Sequence, residues 1–150
     1  MSVKHVNILS SLTQNSLGTT FMIKYLSHLT ILVKNQDDAL KFYTEKIGFQ
    51  KHTDALFGTM RWLTLNPKGN KNLEFALMLP EAKEDSVLVG KQGGSFPLAC
   101  LITDNCQKDY EEMKSRGVEF VMPPTKEEWG TQAVFKDLYG NKFNMVELPK

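Results

Sequence analysis

At 150 residues with a formal net charge of +1, the chain has the length of one domain and too little charge for nucleic acid or an anionic membrane to be its main partner. Lys and Arg are interleaved with Asp and Glu, as on a solvated surface, and the 41% apolar content can build a core without a stabilising metal or disulfide. The two cysteines, Cys100 and Cys106, form no CxxC pair, which points to a reducing cytoplasm, and no apolar run is long enough to span a bilayer.

Residues 1–21 are polar and rich in Ser, Thr and Asn, with no long apolar stretch. They read as an N-terminal extension and not as a secretory signal. The domain is expected over residues 22–150, with Met22 opening its first regular segment. Residues 25–33 read as a strand, with Leu29, Ile31 and Val33 on its apolar side and His28, Thr30 and Leu32 on the other. Asn35 is placed to cap a helix whose first turn carries Asp37 and Asp38 and whose apolar stripe is Ala39, Phe42, Tyr43 and Ile47. Gly48 suits the left-handed position that ends such a helix. Three short strands are expected at about 49–55, 60–65 and 72–78, with a turn at Pro67-Lys-Gly-Asn between the last two.

Residues 80–94 are charged and contain glycines, and read as a linker. Then the pattern returns. Residues 97–103 form an apolar strand, Asp104 is a second N-cap, 107–116 a helix and Gly117 its end. Strands follow at 119–122, 132–136 and 142–147, with Pro123-Pro124 breaking the first and Asp137-Leu-Tyr-Gly-Asn turning into the last. Asn35 to Gly48 and Asp104 to Gly117 each span 13 residues, and a shift of 69 places Ile31 on Cys100 and Asn35 on Asp104. This is internal repetition of one supersecondary unit, strand-helix-strand-strand-strand. Module one covers about 22–80, the linker 81–95 and module two 96–148. The expected fold is therefore α+β: two tandem βαβββ modules forming facing curved sheets around a cavity, the setting in which small ligands bind.

Several runs carry a resemblance to a known family: Ser27-His-Leu-Thr-Ile-Leu-Val-Lys-Asn, then Ala39-Leu-Lys-Phe-Tyr-Thr-Glu-Lys-Ile-Gly-Phe, and later Phe135-Lys-Asp-Leu-Tyr-Gly-Asn-Lys-Phe. Over about residues 22–148 the chain resembles the glyoxalase/bleomycin-resistance/extradiol-dioxygenase group, also called the vicinal oxygen chelate superfamily. That group holds isomerases, lyases, dioxygenases, thiol transferases and drug-sequestering proteins, so the resemblance implies the fold and leaves the reaction open. It implies a homodimer, and metal ligands in the first and last strands of each half. Those positions fall on His28, Glu74, Pro97 and Asn144. Proline has no side-chain donor, and asparagine offers only a neutral oxygen, a weak ligand for a transition metal.

Two chemistries follow for the pair His28 and Glu74. They and Asn144 hold one divalent ion (Zn, Ni, Mn or Fe) as a Lewis acid for a lyase or dioxygenase type of reaction, or, with no metal, they move a proton or hydrogen-bond a ligand. Trp62 and Trp129, with Phe57 and Met60, either stack on a planar ligand or pack in the ordinary way. Three functions are carried forward: a glyoxalase-like enzyme acting on a small oxygen-bearing substrate, a protein that sequesters a planar small molecule, and a non-catalytic structural or regulatory dimer. Motifs for a P-loop, a dinucleotide turn, a nucleophile elbow and a zinc protease are absent from the sequence.

Overall fold

The computed structural model describes residues 22–70 and 72–150, so the expectation for residues 1–21 lies outside the described residues. The first half contains β1 (His28–Leu32), α1 (Gln36–Lys41), β2 (Gln50–Phe57), β3 (Met60–Asn66) and β4 (Glu74–Met78). The second contains β5 (Ala99–Ile102), α2 (Cys106–Ser115), β6 (Phe120–Glu127), β7 (Gly130–Lys136) and β8 (Lys142–Glu147). Each half makes one four-stranded mixed sheet, ordered β1-β4-β3-β2 and β5-β8-β7-β6, so the two βαβββ modules have the same topology. Among the described residues no helix is long and apolar enough to cross a membrane.

The local signals work as their chemistry predicts. Asn35 caps α1 by accepting from the N–H groups of Asp37 and Asp38, and Gly48 closes the helical segment at φ 88°, a conformation that a side chain resists. In the second half the cap is Asn105, not Asp104: the Asn105 side chain accepts from the Lys108 N–H. The reason lies in the first half, where α1 continues as a π-helical turn, Phe42–Ile47. A π turn accommodates an extra residue. The halves are thus offset by 70 residues before the helix and by 69 after it.

The strands repeat this behaviour. Lys51 pairs with Leu65 but Thr53 with Thr64, so His52 is the extra residue of a β-bulge; Val121 stands at the matching bulge of β6. Pro123-Pro124 does not end β6, which runs on to Glu127 through a second register shift. Prolines are tolerated there because β6 is an edge strand and the bulge frees their nitrogens from the ladder. The linker is also more ordered than expected and contains a 3-10 turn, Lys83–Leu88.

The halves share one core. Leu29, Ile31 and Val33 face it as alternation predicts, with Phe75 and Leu77 of β4, and from the second half Ala133, Phe135, Phe143 and Met145. The ring of Phe143 meets Tyr43 and Phe75 edge-on at 6.4 and 6.1 Å and stacks on Phe135 at 5.5 Å. Between the two sheets lies a cavity of about 1010 Å³.

A buried polar hub joins the halves beside this core. Asp137 accepts from the backbone N–H groups of Tyr139, Gly140 and Asn141, from the Asn141 side chain, and from the hydroxyl of Tyr43 at 2.7 Å. Tyr139 reaches back to the backbone of Asn35. The linker docks on the same turn. A side chain at Gly90 would put its Cβ 1.8 Å from the carbonyl oxygen of Tyr139, so only glycine permits this approach. Next to it, the Gln92 side chain accepts from the Leu32 N–H and donates to the Thr30 carbonyl on the free edge of β1.

Candidate functional site

The side of the first sheet turned away from the core gathers the chemistry. Alternation along β1 and β4 sends His28 and Glu74 to this side, and they are cross-strand partners. The bulge in β2 brings His52 to the same group, a residue that strand parity alone does not flag. Glu74 Oε2 lies 3.6 Å from His28 Nε2 and 3.2 Å from His52 Nδ1, so one carboxylate oxygen serves two imidazoles. Trp62, from β3, meets the His28 ring edge-on with centroids 5.3 Å apart. Phe57 and Met60 pair across the β2–β3 hairpin on the face of Trp62 and are exposed at its tip. Thr64, on the same face, has a buried hydroxyl oxygen with no hydrogen-bond partner among the described residues.

The second sheet lacks this set. Val33 N–H donates to the Met78 carbonyl and Thr103 N–H to the Val146 carbonyl, which fixes the equivalence of β1 with β5 and of β4 with β8. On that register His28 corresponds to Leu98, His52 to Val121, Trp62 to Gln132 and Glu74 to Lys142. The offset of 69 that points to Pro97 is therefore corrected to 70, the residue gained in the π turn. Asn144 corresponds to Ala76. Its Nδ2 donates to Gln132 Oε1, and its buried Oδ1 has no partner among the described residues. Trp129 sits in the β6–β7 turn of the second half, 47% exposed.

The donor set does not fit a divalent ion well. His28, His52 and Glu74 are the donors that meet here, and the counterpart positions Leu98 and Lys142 add no ligand. Among the described residues no group of three or more His, Cys, Asp or Glu is placed to hold a metal ion. The cysteines are equally quiet: burial pushes both thiols up, and at Cys106 the carboxylates of Glu147 and Asp109 add to it. A thiol held protonated is a poor nucleophile. None of His28, His52, Trp62, Glu74, Trp129 or Asn144 lines the cavity between the sheets.

Residues 25–145 match the model of the Glyoxalase/Bleomycin resistance protein/Dioxygenase superfamily. The uncharacterized protein YurT of Bacillus subtilis (strain 168) is 38% identical over 122 residues, 79% of this chain and 94% of YurT. The crystal structure of UcmS2 is 39% identical, covers 83% of this chain and 98% of its own, and superposes with a TM-score of 0.75. TnmS3, an antibiotic binding protein from Streptomyces sp. CB03234, is 27% identical with a TM-score of 0.69, over 87% of this chain and all (100%) of its own.

Proposed function

The chain belongs to the Glyoxalase/Bleomycin resistance protein/Dioxygenase superfamily, and from that premise we propose that it binds a planar small molecule on the outer face of its first sheet without a metal ion. One observation carries this reading: Glu74 is shared by two imidazoles beside Trp62, an acceptor next to an aromatic surface. Trp62 and His28 supply a ring surface, Phe57 and Met60 an apolar margin, and Glu74 accepts from a ligand hydroxyl or amine. The likeness to TnmS3, an antibiotic binding protein, supports binding over turnover.

A second copy of the chain closes this open face in the same proposal, and Trp129 is the aromatic that the second half has to offer to the opposite wall. The protein works in the cytoplasm, where both thiols stay reduced. The test is titration of tryptophan fluorescence with planar aromatic compounds that carry hydroxyl or amine donors. Saturable quenching, lost in Trp62→Ala, is expected; no response across the panel overturns the proposal.

A second reading has its own observation. A carboxylate within ion-pair distance of two imidazoles is an arrangement that moves protons. In this reading Glu74 is the base, and His28 and His52 hold it in place. Substrate turnover abolished by Glu74→Gln, with binding retained, favours this reading over simple sequestration.

A further inference from the structure

The cavity between the sheets is not the site just described. Glu74 and Phe75 are neighbours in β4 and point to opposite faces; Glu74 belongs to the outer site and Phe75 lines the cavity. Its accessible apolar lining is Leu73, Leu101 and Ile102, set against the buried Phe75, Phe135 and Met145 of the core. Its volume, about 1010 Å³, lies at the top of the range of small-molecule sites.

The rim is charged, and its charges are not balanced. Lys68, Lys108 and Arg116 stand there with Asp109 and Glu112. Both carboxylates are engaged: Asp109 accepts from the Thr103 hydroxyl, and Glu112 pairs with Arg116. The ion pairs among the described residues involve neither Lys68 nor Lys108. An apolar lining repels a polar ligand, and the rim, three cationic side chains against two carboxylates, keeps an excess positive charge that attracts a negative head.

We propose that the cavity between the modules is a second ligand site, for an amphipathic carboxylate whose hydrophobic body rests on Leu73, Leu101 and Ile102 and whose head meets Lys68 and Lys108. This assignment does not depend on the function proposed for the outer face. Calorimetric titration of the full chain with dodecanoate, and with dodecanol as its neutral counterpart, tests it.

Dodecanoate is expected to bind with one site per chain. The double charge reversal Lys68→Glu, Lys108→Glu should weaken dodecanoate about 10-fold or more and leave dodecanol nearly unchanged. These substitutions are at the rim, so an unchanged melting temperature confirms that the fold is intact. Leu101→Trp, which fills the cavity, should remove both ligands. The proposal is overturned if dodecanoate gives no binding heat, if charge reversal leaves its affinity unchanged, or if Trp62→Ala abolishes its binding and so places it on the outer face.

Discussion

The two halves of the molecule have one topology and divide its work. The first sheet presents His28, His52, Trp62 and Glu74 on its outer side; the second presents Leu98, Val121, Gln132 and Lys142 at the same places. The turns before the last strands differ in the opposite sense. In the second half Asp137 is a buried hub with five donors, whereas in the first the turn is held by buried Asn66 and exposed Asn70 with fewer bonds. A repeated unit thus keeps its backbone while one copy carries the ionisable and aromatic cluster and the other carries the lock. The ladder and the core face specify the fold, so the outer face is free to diverge.

The largest effect should come from breaking the lock. Asp137→Ala leaves the Tyr43 hydroxyl and several backbone N–H groups without partners, and should cost about 3 kcal/mol or more in urea unfolding. The matching change Asn70→Ala, at an exposed turn, should cost under about 1 kcal/mol; equal losses would refute the division between the halves.

Tyr43→Phe comes next, at about 1–2 kcal/mol, because it removes the hydroxyl that Asp137 accepts. Burial and then the Asp137 charge hold the Tyr43 hydroxyl well above its ordinary range. A group raised on folding contributes stability in full below its unfolded value of about 10, and that share is lost as pH climbs through the folded value. On top of that constant loss, the pH slope of stability should differ between wild type and Tyr43→Phe only above pH about 10, and a difference in slope at neutral pH would contradict the assignment.

On the outer faces, Trp62→Ala should weaken binding of planar ligands about 10-fold, while Gln132→Ala at the equivalent place should leave it unchanged. Comparable effects from both would show that the second sheet shares the site. Smaller still is the response to metal. Nickel, zinc or manganese at stoichiometric concentration should leave the melting temperature where it is, and a clear upward shift that vanishes in His28→Ala would restore a metal role for the first half. Smallest is the acid limb. Arg61 hydrogen-bonds Asp54 and holds its carboxyl below the usual range, so this contribution is complete above pH about 4 and fades as pH falls. Asp54→Asn should flatten the acid limb slightly.

Much of this is legible in the sequence, and the exceptions share a cause. Alternation finds the core side of β1, and cap chemistry finds Asn35, Gly48 and Gly117. The pair His28 and Glu74 is what the family resemblance implies, and parity places His28 on the side opposite Leu29, Ile31 and Val33. What escapes is every feature made by one extra residue. The π turn moves the second N-cap from Asp104 to Asn105 and the partner of His28 from Pro97 to Leu98. The bulge hides His52, because a period of two assigns it to the wrong face. The Pro123-Pro124 bulge is a third case. Insertions of one residue leave no local compositional trace, since their position is decided by which ladder bonds the tertiary structure keeps. The hub at Asp137 is visible as a turn, but its bond to Tyr43 spans 94 residues and belongs to packing alone.

The amide of Gln92 has a consequence for the life of the protein in a crowded cell. Strand β1 lies at the border of its sheet, and an uncovered border recruits other extended chains. By satisfying the Thr30 carbonyl and the Leu32 N–H with one side chain, Gln92 occupies that border with a substitute that cannot propagate. The polar linker thus covers, one residue wide, an edge at which another extended chain could otherwise pair.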